Sequence, residues 1–103
     1  MAKFVYLYSG GGMAETPEAQ QQVMQAWTVW FGELGEAILD GGNPFGASAA
    51  VQSDGSVSAG TPSKIGGYTL ISADSLDAAT ALAKGCPQLT AGGAVEIYEA
   101  IEM

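Results

Sequence analysis

The segment YTLISADSLDAATALAKG, residues 68–85, decides the fold because it passes directly from a strand pattern into a helix pattern. Residues 68–73 are rich in aromatic and β-branched types, which favour a strand. Asp74 or Ser75 can cap the helix that follows, and the alanine-rich stretch continues to Gly85, where glycine predicts the helix end. The segment therefore predicts a β-strand followed by an α-helix.

The amino-terminal part repeats this order. Residues 3–9, KFVYLYS, predict a first strand, and the glycines at 10–12 end it. Thr16 can cap a helix whose first position is Pro17, and we expect this helix to extend to about Ile38. Its apolar stripe consists of Val23, Trp27, Trp30, Leu34 and Ile38.

The middle of the chain contains turns and shorter strand patterns. Residues 41–44, Gly-Gly-Asn-Pro, predict a loop, and residues 47–52 predict the second strand. A turn at Asp54-Gly55 predicts a hairpin, while residues 57–66 fit either a returning strand or a loop. Residues 94–101 alternate and predict the last strand.

The resulting order is strand, helix, strand, strand, helix, strand. It predicts one α+β domain over residues 1–103, ferredoxin-like, with a four-stranded, mainly antiparallel sheet and two helices on one face. The opposite face would be left bare, and we expect Tyr6, Tyr8 and Tyr98 on it. The simplest partner for this bare face is a second copy of the chain. The sequence therefore predicts a homodimer through the open sheet face.

Composition excludes several classes of partner. The formal net charge is -8, from 11 acidic residues against 3 lysines, so neither nucleic acid nor an anionic membrane surface is an expected partner. The sequence contains no run of about 20 apolar residues, so we expect no membrane-spanning helix. The chain has no histidine and one cysteine, Cys86, so we expect no metal site, no cofactor and a reducing, cytoplasmic location.

Two carboxylates are the candidate catalytic groups. Asp40 precedes the loop at 41–44 and would act as a general base if withdrawn from water, or would be a solvated turn residue otherwise. Glu96 shares a strand face with Tyr98, and with Tyr6 and Tyr8 alongside it would form an aromatic pocket with one carboxylate. Alternatively, the tyrosines fill a dimer interface and Glu96 faces solvent.

Two glycine-rich turns supply further candidate binding residues. Ser9 begins the turn at 10–12, where helix amides can bind an anion, although the spacing matches no phosphate-binding motif. Asn43 lies in the second turn and either contacts a ligand or caps its own loop. The candidate substrate-binding residues are therefore Tyr6, Tyr8, Ser9, Asn43 and Tyr98.

The whole chain resembles the YCII-related (DGPF-domain) proteins. The resemblance is carried by the carboxyl-terminal half, GGYTLISADSLDAATALAKGCPQLTAGGAVEIYEAIEM, and by the segments KFVYLYSGGG and DGGNPFGASAAV. It implies the dimeric ferredoxin-like α/β-barrel fold. Some members of this family resemble small lactone isomerases and dehalogenases, and a histidine paired with an aspartate is proposed as catalytic in part of it.

This chain departs from that family pattern in two places. It has no histidine, and the helix that carries one in some relatives offers Met24 to Trp27 instead. The Asp-Gly-Pro-Phe signature is replaced by Ala-Gly-Thr-Pro at 59–62. We therefore expect a small-molecule-binding or regulatory module, with a cofactor-independent isomerase or lyase and a purely structural dimerisation domain as the alternatives.

Overall fold

The computed structural model describes residues 1–12 and 14–102, and it has the predicted ferredoxin-like α+β fold. Four antiparallel strands form the main sheet in the order β2-β5-β1-β6, and two further strands form a separate hairpin. The elements are β1 (Ala2–Gly10), α1 (Pro17–Leu34), a 3-10 turn (Gly35–Ala37), β2 (Ile38–Asp40), β3 (Ala49–Val51), β4 (Val57–Ala59), β5 (Ile65–Ala73), α2 (Leu76–Ala83), α3 (Pro87–Thr90) and β6 (Gly93–Ala100).

Both long helices begin where their capping residues predict. The Thr16 hydroxyl accepts a hydrogen bond from the Ala19 amide at 3.0 Å, and Ser75 accepts one from the Ala78 amide at 3.0 Å. The end of α1 differs from the prediction, because Gly35 takes a positive φ of 52° and stops the helix. Ile38, expected in that helix, instead begins β2.

The second strand of the main sheet is Ile38–Asp40, so the prediction of residues 47–52 for this position is wrong. Residues 49–51 pair with residues 57–59 in the separate hairpin, and the Asp54-Gly55 turn connects the two strands. The edge beside β5 is formed by β2 and by the loop at 41–45 that follows it. There the Phe45 amide donates to the Gly66 carbonyl at 2.8 Å, which continues the line of β2 along the sheet edge.

Phe4, Tyr6 and Tyr8 lie beneath the helices, so the prediction that the two tyrosines face the open side is wrong. Tyr6 is 0% exposed, stacks on Trp30, and donates its hydroxyl proton to the Ala79 carbonyl of α2. The large aromatic side chains bury more apolar area than their neighbours would, which explains this choice of face. Burial raises the pKa of Tyr6 to about 12.

The open face carries the alternate residues of the same strands. Val5 and Leu7 of β1 lie beside Leu70 and Tyr68 of β5 and beside Tyr98 and Glu96 of β6. Tyr98 is 53% exposed there, as predicted. One face of the sheet is therefore packed under helices, and the other presents half-buried apolar side chains, those of Val5, Leu7 and Leu70.

Candidate functional site

An open cleft of about 430 Å³ lies between α1 and one end of the sheet, where β1 ends and β5 begins. Its walls come from five parts of the chain: the end of β1, the second half of α1, the loop after β2, the start of β5, and α3. The lining residues are Tyr8, Gly10, Trp27, Phe31, Gly41, Gly42, Asn43, Pro44, Gly66, Gly67, Tyr68, Thr69 and Gln88. This mixture of aromatic side chains and a few polar groups is typical of a small-molecule site.

Aromatic rings line the helix side of the cleft. Trp27 and Phe31, one helical turn apart on α1, have ring centroids 5.8 Å apart, and the Tyr8 ring meets Trp27 edge to face at 5.1 Å. Tyr68 borders the same cleft, but its strand register places its ring on the open face of the sheet, where Phe45 stacks on it at 5.7 Å. Tyr8, Trp27 and Phe31 support one another and form an aromatic wall suited to a planar ligand.

A short hydrogen-bond relay crosses the cleft wall. The Tyr8 hydroxyl donates to Thr69 Oγ1 at 2.7 Å, and the Thr69 hydroxyl donates to the Gly41 carbonyl at 3.0 Å. Burial raises the pKa of Tyr8 well above its ordinary value, so the phenol keeps its proton. The relay ties the loop after β2 to the floor of the cleft.

Gln88 closes the end of the cleft next to β1. Its side-chain amide nitrogen donates to the Ser9 carbonyl at 3.0 Å and to the Gly10 carbonyl at 2.8 Å. Cys86, two residues earlier, is buried, and burial raises the pKa of its thiol to about 11. The thiol is thus held in its unreactive protonated form, as expected for a packing residue.

The structure brings only some of the predicted site residues together. Tyr8 and Asn43 line the cleft, whereas Ser9 contributes a backbone carbonyl that Gln88 occupies. Tyr6 is packed beneath α2 and does not line it. Asp40 lies at its edge, exposed, accepting from the Gly42 amide at 2.8 Å and from the Tyr68 hydroxyl at 3.4 Å.

Glu96 and Tyr98 lie on β6, away from the cleft. The Tyr98 hydroxyl donates to the Glu96 carboxylate at 3.4 Å on the open face, and β1 separates this pair from β5. The predicted pocket joining Glu96 and Tyr98 to Tyr6 and Tyr8 does not form, because the two pairs occupy opposite faces of the sheet. The catalytic roles of Asp40 and Glu96 stay predictions.

Sequence reasoning did not assign five of the residues that line the cleft: Trp27, Phe31, Tyr68, Thr69 and Gln88. The four-residue spacing of Trp27 and Phe31 was a usable signal, since it puts two aromatic rings on one helix face. Tyr68 and Thr69 come next to the end of β1 only through strand pairing. No local pattern could have found Gln88, whose helix was not predicted.

Within residues 1–12 and 14–102, no group of three or more acidic, cysteine or histidine side chains could hold a metal ion. In the same part of the chain, no helix is both long and apolar enough to cross a membrane.

A comparison with protein families identifies the family of this chain. The family model of the YCII-related domain matches residues 13–103. The chain belongs to the YCII-related domain family. No curated protein matches this YCII-related chain significantly.

One solved structure resembles this YCII-related chain over nearly its whole length. It is the 5-chloro-2-hydroxyhydroquinone dehydrochlorinase TftG from Burkholderia phenoliruptrix AC1100, in complex with 2,5-dihydroxybenzoquinone. The TM-score is 0.59 at 16% sequence identity, with 98% of this chain and 95% of the other covered. At this identity the likeness shows the shared fold.

Proposed function

We propose that this protein binds a small planar organic molecule in the cleft and acts as a binding or regulatory module. The observation that carries the proposal is the aromatic wall of the cleft, formed by Trp27, Phe31 and Tyr8. Aromatic side chains with few rotatable bonds bind flat rings at low entropic cost. The similar dehydrochlorinase structure contains a planar quinone, which supports rings of this size as the first ligands to test.

A binding role is favoured over catalysis by the polar groups present. The chain contains no histidine to move a proton at neutral pH. The carboxylate beside the cleft, Asp40, is exposed and bonded to the Gly42 amide, which is the arrangement of a turn-stabilising residue. A general base gains strength from being withdrawn from water, and in the single chain Asp40 is not.

A thermal-shift panel of neutral planar rings tests the binding proposal. A compound at about 100 times its dissociation constant should stabilise the folded protein by roughly 2.7 kcal/mol and raise its melting temperature visibly. In Trp27→Ala we expect that shift to be lost, because the central ring of the aromatic wall is removed. Met24→Ala, at an exposed position of the same helix, should keep it.

Other outcomes of the panel would contradict the proposal. If no compound stabilises the protein, the cleft is not a ligand site and the purely structural dimerisation domain becomes the better account. If a compound stabilises Trp27→Ala as much as the wild type, the ligand binds elsewhere.

The second candidate function is a cofactor-independent isomerase or lyase with Asp40 as general base. It is favoured by the position of Asp40 at the cleft edge, where its carboxylate meets the Tyr68 hydroxyl. Turnover of any compound found in the panel, abolished in Asp40→Asn with binding retained, would support the enzyme over the binding module. Glu96→Gln serves as the control, since Glu96 lies on the other side of β1.

We also infer that a second copy of the chain covers the open sheet face. Val5, Leu7 and Leu70 form an apolar strip there that the described helices do not reach, and Tyr98 extends it to the sheet edge. A contiguous apolar surface of this kind is typical of an interface. A face-to-face pairing of identical sheets is symmetric and closes on itself. With its one cysteine buried and unpaired, we place this dimer in the cytoplasm.

Light scattering at micromolar concentration tests the dimer. We expect a dimer mass for the wild type and a monomer mass for Tyr98→Glu, which puts a charge into the interface without disturbing the core. Gln25→Glu adds the same charge on the exposed side of α1 and should remain dimeric. Because each copy carries a net charge of -8, added salt should strengthen association. A monomer mass for the wild type at every salt concentration would contradict the inference.

A further inference from the structure

The relay in the cleft wall has only one consistent direction. The Gly41 carbonyl can only accept, so the single proton of the Thr69 hydroxyl is committed to it. Thr69 must then accept from Tyr8, which commits the single proton of the Tyr8 hydroxyl as well. With its proton donated, Tyr8 Oη can take part in a further hydrogen bond only as an acceptor. All three members of the relay line the cleft, and Tyr8 is 8% exposed.

Gln88 is restricted in the same way. Both protons of its amide nitrogen are used by two backbone carbonyls, of Ser9 and Gly10, which fixes which end of the amide is which. The free group of Gln88 is therefore Oε1, another acceptor, on a residue that lines the cleft. The end of the cleft nearest β1 thus offers acceptors from two different elements.

The charges around the cleft favour a neutral ligand. None of its lining residues is a lysine or arginine, and the protein as a whole carries a net charge of -8. A ligand anion would lose its hydration here without gaining a cationic partner. Burial raises the pKa of Tyr8, which agrees with a site that disfavours charge.

We propose that Tyr8 Oη is the specificity-determining acceptor of the cleft, and that the ligand is a neutral planar ring bearing a hydroxyl or N–H group that donates to it. This inference rests on the proposed function, since it assumes that the cleft binds a planar ligand. It goes further by excluding anionic aromatic acids and rings that carry only acceptors.

The test compares resorcinol with its dimethyl ether, two planar rings that differ in having or lacking a donor. Affinities are measured by ligand-observed NMR titration. For the wild type we expect resorcinol to bind about five- to tenfold more tightly than the ether, the effect of one net hydrogen bond. 3-Hydroxybenzoate, which adds a negative charge, should bind more weakly than resorcinol.

Two variants distinguish a hydrogen bond to Tyr8 from steric exclusion of the larger ether. Tyr8→Phe removes the acceptor, and the preference for resorcinol should fall to about one. Thr69→Val removes the group that takes the Tyr8 proton, so Tyr8 becomes a donor and the ether should gain affinity relative to resorcinol. The matched control is Thr28→Val on the exposed part of α1, which should keep the wild-type ratio.

The outcomes that overturn the inference differ from those that overturn the proposed function. Equal binding of the two compounds to the wild type, or an unchanged ratio in Tyr8→Phe and Thr69→Val, would overturn the role of Tyr8 and leave the cleft as a ligand site. Binding of neither compound, together with an empty thermal-shift panel, would overturn both. If Tyr8→Phe fails to fold, Thr69→Val alone decides.

Discussion

Replacing Trp30 with alanine is expected to lower the free energy of unfolding by about 3–5 kcal/mol, a large fraction of the roughly 5–15 kcal/mol that a small domain has. Trp30 is 2% exposed and joins both helices to the sheet. Its ring stacks on Tyr6 at 5.9 Å and on Phe31 at 5.6 Å, and its indole nitrogen donates to the Leu82 carbonyl at 3.1 Å. The substitution removes all three interactions and leaves a cavity at the centre of the core.

Urea denaturation at one fixed protein concentration measures this loss, since the stability of a dimer depends on concentration. Val29→Ala is the matched control, because the adjacent residue of α1 is 62% exposed and its truncation should change stability by less than about 0.5 kcal/mol. A loss for Trp30→Ala as small as that of the control would mean that the contacts between α1 and the sheet contribute little to stability.

Much of the fold could be predicted from the sequence because its signals are local. Thr16, Ser75 and the Asp54-Gly55 turn each act through hydrogen bonds to residues nearby in the chain. The predicted element order and family resemblance then led to the ferredoxin-like topology. The short strand at Ile38–Asp40 was missed because its residues also continue the apolar stripe of α1, and only the backbone of Gly35 separates helix from strand.

The face assignment of β1 could not be decided from its own residues. Both faces of that strand are largely apolar, Phe4, Tyr6 and Tyr8 on one and Val5 and Leu7 on the other. The choice depends on which set packs against Trp30 of α1 and reaches the backbone of α2, and these are long-range contacts.

The same limit explains the site predictions. Asp40, Asn43 and Tyr8 were identified from turn and strand chemistry and do lie in or beside the cleft. Glu96 and Tyr98 were grouped with Tyr6 and Tyr8 on the assumption that all four residues share one face, which the register of β1 with β6 rules out. A cleft built from five parts of the chain depends on packing that periodicity within one element does not encode.

Replacing Gly42 with alanine is expected to detach the loop at 41–45 from β5 and to cost about 2–4 kcal/mol of stability. Gly42 has a φ of 77°, and a Cβ atom there would lie 1.6 Å from the Tyr68 carbonyl oxygen. The clash is with backbone, so no side-chain rotation relieves it. The loop must move away, and the hydrogen bonds from Thr69 Oγ1 to the Gly41 carbonyl and from the Tyr68 amide to the Asn43 carbonyl are then lost.

Urea denaturation combined with amide hydrogen exchange separates this local effect from general unfolding. We expect the amides of Phe45 and Tyr68, which bond across the loop, to lose protection in Gly42→Ala at denaturant concentrations where β1 remains protected. Gly41→Ala is the matched control, because a Cβ atom there meets nothing within 4 Å and its φ is not positive. Since the same loop forms the rim of the cleft, Gly42→Ala should also lose ligand-induced stabilisation. Intact protection of Phe45 and Tyr68 in that variant would show that the loop does not need this close approach.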